Sequence, residues 1–129
     1  MTGGVVIDVT ALDLTQIRTW ASYHGAITDD ERLTVYKAVG DDWQTDRKGW
    51  VYKPGSTVEA ADWDGLADCG GGLHLCATPG RSGRYYDAAT RYVECLVDMS
   101  EAVVVGDKIK ARSVRVVREV DLFGREVTR

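Results

Sequence analysis

Residues Tyr92 to Met99 alternate so regularly that Val93, Cys95, Val97 and Met99 share one face of any extended backbone. Successive side chains of a β-strand point to opposite sides, so this run is a strand with one apolar face that needs a core beneath it. Leu33 to Val39 repeats the pattern, with Leu33, Val35 and Val39 on one side and Thr34, Tyr36 and Ala38 on the other. Half-buried strands of this kind belong to antiparallel sheets rather than to parallel sheets covered on both faces.

The rest of the chain supplies further short runs. Val5-Val6-Ile7 reads as a strand, and so does Trp50-Val51-Tyr52, closed by Pro54-Gly55 with Thr57 to Ala60 as its expected hairpin partner. Leu73 to Ala77 follows three glycines, and Lys110 to Val120 carries valines on both faces, as a buried strand or one with a bulge does. Asp13 with Gln16 forms a capping-box signal, and Leu14, Ile17, Ala21 and His24 recur at helical spacing before Gly25. Strands therefore outnumber helices by about five to two. The expected class is α+β, a mostly antiparallel, split β-sheet with one or two helices. No repeat or linker divides residues 1–129, and a chain of 129 residues buries enough surface to fold as one domain without staples.

Residues Met1 to Asp13 have no basic leader region, and no stretch approaches the roughly 18 apolar residues of a membrane span. Cys69, Cys76 and Cys95 are an odd set, which fits free thiols in a reducing compartment, and the expected location is the cytoplasm. A net charge of −4 conceals an asymmetry. Residues 29–68 hold ten acidic and five basic side chains, whereas residues 108–129 hold seven basic and three acidic. The basic segment offers a surface for phosphate or nucleic acid, but only Phe123 stands among its arginines, so a base-stacking platform is disfavoured.

The densest chemical feature is Cys69-Gly70-Gly71-Gly72-Leu73-His74-Leu75-Cys76. Alternation puts His74 and Cys76 on one side of a strand, and the glycine turn is able to bring Cys69 back toward them. Thiolate and imidazole suit zinc, yet a structural site needs four ligands, and the remaining thiol, Cys95, is assigned to the core. A Cys/His nucleophile pair lacks an orienting third group. Small buried thiols beside a hydrogen-bonded histidine are therefore preferred, with no metal and no catalytic residue expected. The glycines have neither dinucleotide-binding nor P-loop spacing and read as a tight turn. More suggestive is Thr78 to Tyr86, where Arg81, Ser82, Arg84 and Tyr85 in a glycine-loosened loop are suited to a phosphorylated or planar ligand. Trp43, Trp50 and Trp63 with Tyr36 and Tyr52 read as core, and His24 as a boundary histidine without a functional role.

The Gly72-Leu73-His74-Leu75-Cys76 segment resembles the G-[FL]-H-x-C signature of an uncharacterised domain family found mainly in bacteriophage and prophage genes. The resemblance extends to Tyr36-Lys37-Ala38, Trp50-Val51-Tyr52, Thr78-Pro79, Tyr85-Tyr86 and the segment from Ala111, covering roughly residues 33 to 120. It implies a small phage-type accessory protein. A more distant similarity is to the ADP-ribosyltransferase fold, in which Tyr36, His74, Ser82 and Tyr85 would shape an NAD pocket. Tyr36 is followed here by Lys37-Ala38-Val39 rather than the His-Gly-Thr or Arg-Gly of that fold. Lys108 and Lys110 stand where its catalytic glutamate would open a late strand, with Glu101 and Glu119 as the nearby substitutes.

The expected function is a binding module for a host macromolecule or a nucleotide-like ligand, needing no cofactor, with Tyr36, His74, Arg81, Ser82, Arg84 and Tyr85 as ligand contacts. An NAD-dependent ADP-ribosyltransferase and a zinc-stabilised interaction module are the alternatives.

Overall fold

A computed structural model describes residues 15–45, 49–68 and 70–128. Among the described residues eight strands join in one antiparallel sheet: β1 (Thr28–Asp29), β2 (Arg32–Val39), β3 (Thr57–Glu59), β4 (Leu73–Cys76), β5 (Arg91–Asp98), β6 (Ala102–Val105), β7 (Lys108–Ala111) and β8 (Ser113–Val120). Their spatial order is β3-β8-β5-β2-β4-β7-β6, and β1 folds back on the start of β2. The described residues also hold two short α-helices, α1 (Ile17–His24) and α2 (Pro79–Ser82).

The two alternating runs form the centre. β2 and β5 pair over eight positions, from Arg32↔Asp98 to Val39↔Arg91. Leu33, Val35 and Val39 thereby join Val93, Cys95 and Val97 on one face, all of them buried. Val114 and Val116 of β8, Leu73 and Leu75 of β4, and Ile109 and Ala111 of β7 continue the same core. Each large aliphatic side chain taken out of water there contributes roughly 1.5–3 kcal/mol. Trp20 and Ala21 of α1 pack into this cluster together with Tyr52, while Trp43, Trp50 and Trp63 lie half-buried against it. The aromatic crowding thus fills core, as its density implies, except for Tyr36, whose place in β2 turns it to the opposite face with Glu94.

The sheet has a seam. Between β2 and β4 the single registered pair is Tyr36↔Cys76, and the Lys37 ammonium donates across the gap to the His74 carbonyl at 2.6 Å. The expected split into two sheets is not seen, because this narrow pairing keeps all the strands in one continuous sheet.

Several elements depart from the sequence reading. Lys110 to Val120 is two strands, because Arg112 turns outward between β7 and β8. The bulge lies in β8, where the register shifts from Glu94↔Arg118 to Cys95↔Val116 and leaves Val117 without an opposite residue. β6 has no sequence signal, since its four residues are all half-buried and do not alternate. Trp50 to Tyr52 is not a strand; Tyr52 makes one backbone bond to Trp43, and Thr57–Glu59 pairs with β8 instead of forming a hairpin with it. Gln16 caps α1 without a side-chain bond, and the helix ends at Gly25 in the left-handed region, φ 74°. Asp13, Leu14 and Val5-Val6-Ile7 lie outside the described residues. The Thr78 to Tyr86 loop is instead α2 followed by a 3-10 turn over Gly83–Tyr85, with Thr78 capping the Arg81 N–H. Among the described residues no helix is long and apolar enough to cross a membrane.

Candidate functional site

Register fixes which candidates share a surface. Tyr36 pairs with Cys76 and Cys76 with Lys108, so these side chains form a row on the face opposite the core, and His74 lies beside Lys110 in the next row. Two strand spacings put Tyr36 about 10 Å from Lys108. α2 packs on β2, β4 and β5, and Gly83 just after it meets Tyr92, which shares this face with Glu94 and Tyr36.

One end of that face is closed by a clasp. Lys110 has no solvent exposure, and its ammonium lies 2.7 Å from Asp64 and 3.3 Å from Asp68. Asp64 also accepts from the Leu66 and Gly71 N–H groups, and Asp68 from Gly70. The Lys110 hydrogen bond, ahead of the backbone ones, holds the Asp64 carboxyl at about 2. Burial pulls the Lys110 pKa down, but its hydrogen bonds to Asp64 and Asp68 outweigh that and leave it raised. The three glycines exist to make this loop fit. A Cβ on Gly71 would sit 1.6 Å from the Asp62 carbonyl oxygen, and one on Gly72, at φ +146°, would sit 2.4 Å from the Lys110 side chain. His74 belongs to the clasp, since its Nε2 donates to the Gly70 carbonyl at 3.2 Å.

The second cluster centres on a residue with no sequence signal of its own. Asp107, in the turn between β6 and β7, accepts from the Tyr85 hydroxyl and pairs with Arg81 at 3.6 Å. The Lys108 ammonium lies 4.7 Å above the Tyr85 ring. Trp20 of α1 donates to the adjacent Gly106 carbonyl at 3.1 Å, and the His24 ring stacks at a tilt 5.0 Å from Trp20. His24 is drawn into the cluster's field: burial lowers its pKa first, then the Arg81 charge, against a smaller opposing pull from Asp107. Beside this knot a groove is lined by Arg84, Tyr85, Tyr86, Asp87 and Ala88. Tyr85 is 52% exposed, and Arg84 has no charged partner among the described residues.

Of the six residues expected to contact ligand, the structure brings Arg81, Arg84 and Tyr85 together. Ser82 is buried and donates to the Pro79 carbonyl at 2.6 Å, closing α2 from within. The Tyr36 hydroxyl faces the C-terminal segment near Gly124, and burial, then Glu94, raises its pKa. His74 points into the clasp. Asp107 carries no signal of its own in the sequence, because an aspartate after a glycine reads as turn chemistry, and Lys108 stands out there only as a replacement for a catalytic glutamate.

The two described thiols do not gather. Cys95 pairs with Val35 on the core face, whereas Cys76 projects from the other side, so the two cannot share a metal with His74. Cys69 lies outside the described residues. Burial pushes the Cys76 thiol up to about 11 and Cys95 up to about 12, so neither forms thiolate at neutral pH. The two glutamates are also apart from the groove. Glu119 sits opposite Val93 on the core face, 3.3 Å from Arg91, which stacks 4.6 Å from Trp43. Glu101 is exposed in the 3-10 turn before β6. In the basic C-terminal segment Lys110 is buried, Arg118 pairs with Glu94 and Glu126, and Arg125 with Asp121, so much of its charge is compensated locally.

A family model described as a domain of unknown function, DUF7666, matches residues 33–125. No curated protein and no solved structure matches the chain.

Proposed function

The chain belongs to the DUF7666 family of domains of unknown function, and we propose that it is a small phage-type accessory protein that binds a nucleotide-like ligand in the groove beside Tyr85. The observation that carries this reading is that Arg84 shares the groove with Tyr85, a ring half in solvent, while the Lys108 ammonium lies 4.7 Å over that ring and Arg81 reaches the Tyr85 hydroxyl through Asp107. Guanidinium groups form paired, charge-assisted bonds with phosphate oxygens, and an exposed tyrosine offers a surface for a planar base. The protein's net charge of −4 makes this island of cations a local feature rather than a general property of the surface. The scaffold beneath it is rigid, since α2 packs on β2, β4 and β5.

Binding without transfer is favoured because the positions that would carry transferase chemistry have structural work elsewhere. Lys110 is locked in the clasp, and Glu119 serves Arg91 on the far side of the sheet. Titration of ADP into the protein tests the reading by calorimetry. Saturable binding, weakened at least about tenfold by Arg81→Ala with Arg84→Ala, is expected, since each charge-assisted bond to phosphate contributes on that scale. An absence of saturable binding overturns it.

A further inference from the structure

We infer that the Asp107 carboxylate is a resident competitor for the anion position of this site, so that a phosphate group binds by displacing it from Arg81 and Tyr85. The inference rests on the ligand-binding reading of the groove. Its geometry is that of an occupied anion site: one carboxylate oxygen accepts from the Tyr85 hydroxyl and the other faces Arg81 at 3.6 Å. Those donors come from α2 and the 3-10 turn, while Lys108 approaches over the Tyr85 ring from the strand that Asp107 precedes. Hydroxyl and guanidinium thus converge on a single carboxylate, and the Lys108 ammonium lies over the ring that carries the hydroxyl.

The contact is built to exchange. The Arg81 and Asp107 side chains are 37% and 39% exposed, so their ion pair is screened and its loss leaves no buried charge. Asp107 sits on the two-residue turn between β6 and β7, beside Gly106 at φ +63°, so a rotation of its partly exposed side chain leads into solvent. An incoming carboxylate would replace Asp107 like for like and gain nothing. A phosphate brings a third oxygen and a higher charge, enough for Arg81, Tyr85 and Lys108 together. The ligand class selected is therefore phosphate esters over carboxylates.

Calorimetry with ADP and adenosine on the wild type, Asp107→Asn and Arg84→Ala tests this. Asparagine keeps the turn-forming side chain and removes the competing charge. Asp107→Asn is expected to bind ADP about tenfold more tightly, the scale of one coupled site, with no gain for adenosine, which has no phosphate. An unchanged or weaker ADP affinity, or an equal gain for adenosine, overturns the competitor role. If Arg84→Ala still weakens ADP binding in that case, the binding site stands and only the competitor falls. No ADP binding by either the wild type or Asp107→Asn overturns both. Should Asp107→Asn fail to fold, Asp107→Ser carries the same comparison.

Discussion

Lys110 Nζ lies 2.7 Å from Asp64 Oδ1, although the lysine side chain has no solvent exposure and the aspartate keeps 35% of its own. The cation is thus covered by the very loop whose carboxylates neutralise it. Removing one partner of a buried charge costs more than the pair contributes, because the remaining charge is left uncompensated.

The pH dependence follows from the shifted carboxyl. Asp64 titrates at about 2 instead of 3.8, so it stabilises the fold above its unfolded pKa and stops doing so as pH falls through the folded one. Lys110 is shifted upward, so its contribution is present below its ordinary 10.5 and disappears as the pH rises beyond it. Between those limits the clasp is closed. The melting temperature of the wild type is expected to exceed that of Asp64→Asn at pH 6, with the difference closing between about pH 4 and 2. A difference that stays constant through acid would show that the pair does not set stability.

Gly71 gives a steric test of the same loop. With a Cβ placed 1.6 Å from the Asp62 carbonyl oxygen, Gly71→Ala forces the backbone of one strand of the loop to move. A destabilisation of at least about 2 kcal/mol is expected, lowering the melting temperature by roughly 6–10 °C. Gly80→Ala is the control, because nothing lies within 4 Å of its added carbon. Equal melting temperatures for the two variants would remove the packing role assigned to the glycines.

The parts of the fold visible in the sequence were those with a single apolar face. β2 and β5 each present alternation over a full strand, and they became the central pair. β6 was invisible because an edge strand of alanine and valines, half-exposed throughout, has no contrast between faces. Trp50 to Tyr52 has strand-forming residues, but the Tyr52 N–H is taken by the Trp43 carbonyl, and Thr57–Glu59 is the segment that pairs with β8. In the candidate site the arginines and Tyr85 were recognisable by type. Asp107 was not, because what gives it meaning is the long-range approach of residues 81 and 85, and no local spacing encodes that.

The core assignment of Cys95 has its own test. Its thiol is fully buried between Val35 and Val116, and burial, ahead of the smaller opposing effects of Lys37 and Glu94, drives its pKa to about 12. Cys95→Asp places a carboxyl where water cannot reach it, at a cost of several kcal/mol against a total stability of about 5–15 kcal/mol. Loss of cooperative thermal unfolding by circular dichroism is expected, while Cys95→Ala remains folded. A Cys95→Asp protein with an unchanged transition would mean that β5 faces the other way.

The last expectation separates binding from transfer. A transferase carboxylate must orient a ribose hydroxyl and stabilise the positive charge that develops at the anomeric carbon, so it has to share a surface with the groups that hold the nucleotide. Here the register puts Glu119 on the core side of β8, opposite Val93, while Arg118 beside it shares the outer face with Glu94 and Tyr36. Glu101 precedes β6, and its carbonyl is engaged by the Arg112 N–H at 3.0 Å. The strand positions nearest Tyr85 hold Lys108, whose charge would oppose that of the developing cation. NAD incubated with the protein and a host lysate is therefore expected to yield neither free nicotinamide nor labelled product above a control without protein. Nicotinamide release well above that control, abolished by Glu101→Gln or Glu119→Gln, would place a working carboxylate within reach of bound nucleotide and make this chain a transferase.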